Sequence, residues 1–269
     1  MQQGTCKLCL QEKQLVSSHL MPRALYQYCY KDEHRPIKYG DGFLLPTDRQ
    51  TQDYLLCENC EDILNKGGES WIADKLATWE RRFPLYDTLT KFPPDFNEDG
   101  MVVYFAVKNP EIKIDQLAHF ALGLFWKASV HPWKAGRIEP RIELGPYSEE
   151  IRKWLRGEGA FPKNVYLIAV VERPARAQIA LNDPYESGND GWRSFFTHVP
   201  GLLFMLAVGK TVDEGTRVLC MQNSPGNPIN LSEGLTDKYE QLMAETVQQA
   251  RKTNAYLKAK AKVDKARRK

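Results

Sequence analysis

The sequence predicts an α+β protein: a cysteine-organised module, then a helical and mostly antiparallel-sheet domain, then a long basic C-terminal helix. Three observations carry this. Two Cys-x-x-Cys pairs, Cys6-Lys-Leu-Cys9 and Cys57-Glu-Asn-Cys60, bracket the beginning of the chain. Past residue 100, two helical patterns are followed by several short β-rich runs, the order expected of an α+β domain. From Arg251 to Lys269 there are nine basic residues against one acid, Asp264. The boundaries fall as a cysteine module with its following helix over 1–85, an α+β domain over 100–250 and a basic helix or tail over 251–269.

In order along the chain, the second cysteine pair runs into Glu61-Asp62-Ile63-Leu64-Asn65 and then Gly67-Gly68. Acids in a first turn, apolar residues next and a glycine stop predict a short helix. Ile72, Leu76 and Trp79 at helical spacing predict a longer helix from Trp71 to about Phe83, ended by Pro84. The turn-rich stretch Phe92-Pro93-Pro94-Asp95-Phe96-Asn97 marks the domain boundary. Met101 to Val107 is β-rich. Asp115 is placed to cap a helix carrying Leu117, Phe120, Ala121, Leu124 and Phe125 on one face, and Ser148 a second one carrying Ile151 and Leu155. Strands are expected at Val165–Glu172, Ala177–Leu181, Leu202–Val208 and Arg217–Met221. Asp237-Lys-Tyr-Glu240 fits a capping box that opens the C-terminal helix.

The chain has 269 residues, 42% of them hydrophobic and 11% aromatic, enough for a sizeable core. Its formal net charge of +3 does not announce a nucleic-acid binder, but the basic end attracts polyanions locally; the plainer reading of that end is a solvated, fraying helix. The N-terminus lacks the apolar stretch of a secretory signal, and the longest apolar run, Val199 to Val208, is far short of a membrane span. A cytoplasmic location is therefore expected, where thiols stay reduced and two Cys-x-x-Cys pairs favour a metal over disulfides.

Each pair turns tightly enough to aim two sulfurs at one centre, and two pairs complete the tetrahedral shell that Zn²⁺ prefers. Cys6, Cys9, Cys57 and Cys60 are the expected ligands of a structural zinc. A thioredoxin-like motif needs only one pair inside a βαβ pattern, which is absent. Cys29 and Cys220 fall outside the spacing and read as small buried hydrophobes.

Between the pairs lies Ser17-Ser18-His19-Leu20-Met21-Pro22. Cys-x-x-Cys, a His-apolar-apolar-Pro element, then Leu-Leu-Cys-x-x-Cys leading into a helix resembles the zinc-containing HNH endonucleases over about residues 1–66. The resemblance implies a ββα-metal unit on a zinc-knuckle pair, with His19 as the general base that takes a proton from the attacking water. Three positions depart from the family, one of them the asparagine upstream of the third cysteine, where this chain offers Gln52 and Asp53. Ser18 stands where an acid or histidine normally ligates a catalytic Mg²⁺ or Mn²⁺, and Glu61 where a histidine follows the fourth cysteine. Glu61 with Asp53 or Asp62 is the available hard-oxygen set. The plainer readings are that His19 hydrogen-bonds within the knuckle and that Glu61 and Asp62 complement a helix dipole. The other histidines, His34, His119, His131 and His198, have no partner suggested by spacing.

Arg23, Lys31 and Arg35 are the candidate phosphate contacts of this region, interleaved with tyrosines. A P-loop and a nucleophile elbow are absent: Gly-Lys-Thr at 209–211 lacks the upstream glycine. The two readings are a metal-dependent endonuclease acting on nucleic acid, DNA ahead of RNA, in a bacterial or phage defence setting, and a catalytically degenerate zinc module that recognises nucleic acid or protein. The 100–250 domain is the expected place for a protein partner or a homodimer contact.

Overall fold

The computed structural model describes residues 2–29, 37–40, 43–46, 50–98, 100–133, 142–175, 177, 179–189, 192–222 and 224–232, with isolated positions beyond. Lys31, His34, Arg35, the capping box at Asp237 as a whole and the basic stretch 251–269 lie outside the described residues, save for single positions.

The first part begins with β1 (Gln2–Thr5) and β2 (Glu12–His19), followed by α1 (Arg23–Tyr28), a hairpin of β3 (Ile37–Gly40) and β4 (Phe43–Pro46), and β5 (Gln52–Cys57). Strands β1, β2 and β5 form one antiparallel sheet with β2 in the middle. Across it Leu15 faces Cys57, Ser18 faces Asp53 and His19 faces Gln52, with a bulge between Val16 and Ser17. Helix α2 (Glu58–Leu64) starts directly at the second knuckle, as expected, with Glu58 and Glu61 in its first turn.

The glycine stop is not there. Gly67 and Gly68 lie inside a π-helical turn, Asn65–Glu69, that carries the helix on into α3 (Ser70–Ile72). The reason is contact with α5 (Ile114–Val130). A Cβ on Gly68 would sit 2.2 Å from the Gln116 carbonyl oxygen and 2.8 Å from the Phe120 nitrogen, so the backbones could not approach. Gly68→Ala is therefore expected to cost about 3 kcal/mol through overpacking. Gly123→Ala on α5, where the new methyl meets only Leu64 Cδ2 at 3.9 Å, should hold or raise stability. Thermal melts of the two variants check the contrast.

The helix expected from Trp71 to Phe83 ends at Ile72 instead. Its backbone groups go elsewhere: Ala77 N–H donates to the Pro200 carbonyl at 3.1 Å and Leu85 N–H to that of Lys75 at 3.0 Å. Pro84 opens a helix, α4 (Pro84–Leu89), rather than closing one, a position where its missing N–H costs nothing.

The second part adds β6 (Phe96–Glu98), β7 (Met101–Phe105), α6 (Tyr147–Leu155), β8 (Val165–Val171), β9 (Asn182–Asn189), β10 (Arg193–Val199), β11 (Leu202–Val208), α7 (Glu214–Val218) and β12 (Pro228–Ser232). Seven strands form one sheet in the order β6-β7-β12-β8-β11-β10-β9, antiparallel except where β12 meets β8. The fold is thus mixed α+β with a mostly antiparallel sheet. Strands β8 and β11 lie where expected. Arg217–Met221 is not a strand: the Asp213 carboxylate caps the Thr216 N–H at 2.9 Å and turns the segment into α7. The described residues of the expected strand Ala177–Leu181 are not in a strand and precede the edge strand β9. Asp115 and Ser148 lie inside their helices, which begin at Ile114 and Tyr147.

Strand β8 is buried on both faces, which explains its unbroken apolar sequence. Val165, Leu167, Ala169 and Val171 join the main core, while Ile168 and Val170 pack with Leu203 on the far side. The main core also contains Cys6, Leu8, Leu20, Leu64 and most of α5, so one continuous apolar interior links the knuckle to the large sheet. Helix α5 has eleven buried residues out of seventeen and is the element shared by both parts. It is buried nearly all round, and one of those buried residues is Lys127.

Candidate metal centre and the His19 cluster

The knuckles converge. The sulfurs of Cys6, Cys9, Cys57 and Cys60 all lie within 4.8 Å of one another, and Cys9 and Cys57 are 4.0 Å apart. A tetrahedral zinc–thiolate site with bonds of ~2.3 Å has sulfur–sulfur edges of about 3.8 Å, so these four residues can hold a structural metal such as zinc. Local geometry supports the donor set. The turn after Cys9 places Leu10 at φ +60°, and Leu10 N–H donates to the Cys6 carbonyl at 2.8 Å. Cys57 N–H donates to the Cys6 sulfur at 3.3 Å. From α6, Arg156 reaches the Cys60 sulfur at 3.8 Å and Arg152 donates to the Leu8 carbonyl at 2.7 Å. Burial, with the neighbouring sulfurs of Cys57 and Cys6, pushes the Cys60 thiol well up, a crowding that a bound cation relieves. Cys29 and Cys220 are buried and apart, as their spacing suggested.

Because β2 runs away from one knuckle and β5 runs back into the other, the cysteines lie at one end of this strand pair and His19, the last residue of β2, at the other. His19 is half-buried. Its imidazole is held below its ordinary pKa by burial first, then by the charges of Lys127 and Arg23, while a hydrogen bond to Gln50 and the Glu69 carboxylate pull the other way. The ring is therefore neutral near pH 7 and able to accept a proton.

Lys127 organises the cluster. Its ammonium donates to the His19 carbonyl at 3.0 Å and to Glu69 Oε1 at 3.1 Å. The Lys127 side chain is 2% exposed and that of Glu69 18%. Glu69 is the last residue of the π-helical turn, and that turn rotates it toward α5. Glu61 belongs to the same group: burial holds its carboxyl above the ordinary carboxylate range, against the pull of Lys127 and of a hydrogen bond from Ser18, and Glu69 adds to the rise. Glu61 Oε1 is buried without a hydrogen-bond partner. His19 and Glu61 thus share one charged neighbourhood. Neither Lys127 nor Glu69 was a candidate from sequence; the signal was a single lysine inside the apolar run Leu122-Gly-Leu-Phe-Trp-Lys127-Ala.

The acidic candidates Asp53 and Asp62 are paired elsewhere, while Ser18 and Arg23 border the cluster. Asp53 Oδ2 is 2.9 Å from His131 Nε2, just past the end of α5, which gives His131 the partner that spacing did not suggest. Asp62 pairs with Lys66 at 2.7 Å. Ser18 is 1% exposed and its hydroxyl accepts from Leu56 N–H at 3.1 Å, a structural use. Arg23 is exposed on α1. His198 and Glu172, both fully buried, pair at 3.1 Å in the large sheet, and His119 bonds the Leu155 carbonyl at 3.0 Å on α5. Among the described residues the four cysteines are the one group of three or more His, Cys, Asp or Glu donors close enough to share an ion, and no helix is long and apolar enough to cross a membrane. No family model matches the chain, and no curated protein or solved structure matches it.

Proposed function

We propose that this chain is an HNH-like phosphodiester hydrolase of nucleic acid, DNA ahead of RNA, with zinc in the four-cysteine centre and His19 as general base. The observation that carries it is the place of His19: at the end of a strand pair followed by a helix, half-buried, its carbonyl accepting from the buried ammonium of Lys127, a charge that bears on Glu61 as well. Zinc held by four thiolates has no open position, so it supplies rigidity to the hairpin and no Lewis acidity.

In the reaction a water oxygen bonds to phosphorus, its proton passes to the His19 imidazole, and the P–O ester bond breaks. The leaving alkoxide takes a proton from solvent. Exposed Arg23, four residues past His19 at the start of α1, is suited to draw the phosphate in.

The acids do not fit a catalytic Mg²⁺ or Mn²⁺. Asp53 is engaged by His131, Asp62 by Lys66 and Glu69 by Lys127, leaving Glu61 as a lone hard-oxygen donor. Lys127 supplies the fixed positive charge of the site. The engagement of these acids also favours the second reading, a zinc module that binds nucleic acid without cutting it.

The test incubates zinc-loaded protein with supercoiled plasmid, single-stranded DNA and RNA, with and without added Mg²⁺ or Mn²⁺. His19→Ala is expected to slow cleavage ~10²–10⁴-fold while bound zinc and melting temperature persist. Absence of cleavage on every substrate, with binding that His19→Ala leaves unchanged, would establish the binding module instead.

A further inference from the structure

A second feature adjoins helix α1, whose first residue is Arg23. The chain reverses at Thr78-Trp79-Glu80-Arg81-Arg82, where Thr78 N–H donates to the Arg82 carbonyl and Arg81 N–H to the Thr78 carbonyl, each at 2.9 Å. Arg81 takes φ +59°, a left-handed conformation that a non-glycine residue adopts at a cost. The turn holds Trp79 out at its tip, 42% exposed. Beneath it is an open cavity of about 350 Å³ lined by Gln27, Tyr28, Thr78, Trp79, Glu80 and Arg82.

The lining has both stacking and hydrogen-bonding capacity. Trp79 and Tyr28 are aromatic, and Tyr28 is anchored by its hydroxyl donating to the Ala73 carbonyl. The Thr78 hydroxyl oxygen is inaccessible to solvent and has no hydrogen-bond partner. The Gln27 amide adds a donor and an acceptor for a base edge, and Arg82 brings positive charge.

Position ties the cavity to the reaction centre. Gln27 and Arg23 are both exposed and four residues apart on α1, hence on one side of it. They are separated by about 6 Å along the axis, a step of one to two nucleotides at ~3.4 Å per stacked residue. Arg23 in turn bears electrostatically on His19.

We propose that this cavity seats an unpaired nucleobase stacked on Trp79, so that the substrate is taken as a single strand whose adjoining phosphate lies toward Arg23 and His19. The assignment rests on the hydrolase reading above for the role of His19. A base inside a duplex cannot enter such a cavity without leaving its stack.

Fluorescence anisotropy with a labelled short single-stranded oligonucleotide, and with the same sequence as a duplex, tests the proposal by binding alone. Trp79→Ala, at an exposed turn and checked by circular dichroism, is expected to weaken single-strand binding about 5- to 150-fold, the effect of removing one stacking partner. Duplex binding should stay put, and Trp79→Phe should restore part of the loss. Single-strand binding unchanged by Trp79→Ala, an equal loss on duplex and single strand, or wild-type protein that binds no single strand each overturns the proposal. The two readings fail separately. Cleavage by wild type that Trp79→Ala leaves intact in both binding and rate removes the base pocket and keeps the hydrolase. Single-strand binding lost in Trp79→Ala, with no cleavage by wild type, keeps the pocket and removes the hydrolase.

Discussion

Cys60→Ser is expected to release the metal from the four-sulfur centre and to lower the melting temperature by about 10 °C. Structural zinc contributes roughly 10–16 kcal/mol of apparent folding free energy in isolated finger peptides. Here β1, β2, β5 and α6 hold the ligands in part by themselves, so a third of that contribution is a reasonable share. At ~2–4 °C per kcal/mol for a chain of this size, the shift reaches about 10 °C. The loss should not stay local. Cys6, Cys57 and Cys60 are buried in the same core as α5 and the large sheet, and β2 and β5 would lose their common anchor at the end opposite His19. The control is Cys220→Ala, which removes a buried thiol outside the centre and should leave metal content at one ion per chain. Elemental analysis beside a melting curve decides it. An unaltered metal content in Cys60→Ser, or a metal-free wild-type protein with its fold intact, would remove the centre and with it the reason for the hairpin geometry.

How far the fold could be read beforehand depended on whether a signal was local. The two Cys-x-x-Cys pairs are local and chemically specific, and they converge. Strands β8 and β11 are short apolar runs with turns beside them, and Pro200-Gly201, with Gly201 at φ +80°, supplies the tight connection into β11. The misses were non-local. Strand β9, Asn182-Asp-Pro-Tyr-Glu-Ser-Gly-Asn189, is polar and contains a proline, and it pairs only because it lies at the edge of the sheet against β10. The helical spacing of Ile72, Leu76 and Trp79 was misleading: Ile72 and Leu76 are buried, but Trp79 is on a turn whose neighbours bond to the distant Pro200 carbonyl. Glycines 67 and 68 resemble a stop until α5 is packed against them. For the candidate site, His19 and Glu61 were accessible through motif order. Lys127, from a helix over a hundred residues away in the chain, was hidden because a lysine in an apolar helix declares its partner only once the helix is docked.

Lys127→Met is the second large effect. The ammonium is buried and bridges the His19 carbonyl and Glu69. Removing one member of a buried pair leaves the other charge uncompensated, typically a loss of ~3–5 kcal/mol; partial exposure of Glu69 puts this case near the lower end, about 3 kcal/mol. The double variant Lys127→Met with Glu69→Gln removes the stranded carboxylate and should recover part of that loss, which a purely steric defect would not do. A titration separates the electrostatic role from the mechanical one. Burial and the charges of Lys127 and Arg23 lower the His19 pKa, opposed by Gln50 and Glu69. Taking away either cation therefore raises it, and the imidazole protonates at a higher pH than in wild type. Since a general base must be neutral, the acidic limb of the cleavage–pH profile moves upward in Lys127→Met. It moves the same way in Arg23→Gln, an exposed substitution that should leave stability alone. The His19 ring resonances report this by NMR whether or not cleavage is measured. Identical titration of His19 in wild type and both variants would mean that Lys127 only braces the helix against the hairpin, and that the charge at the centre of the cluster does not set the base.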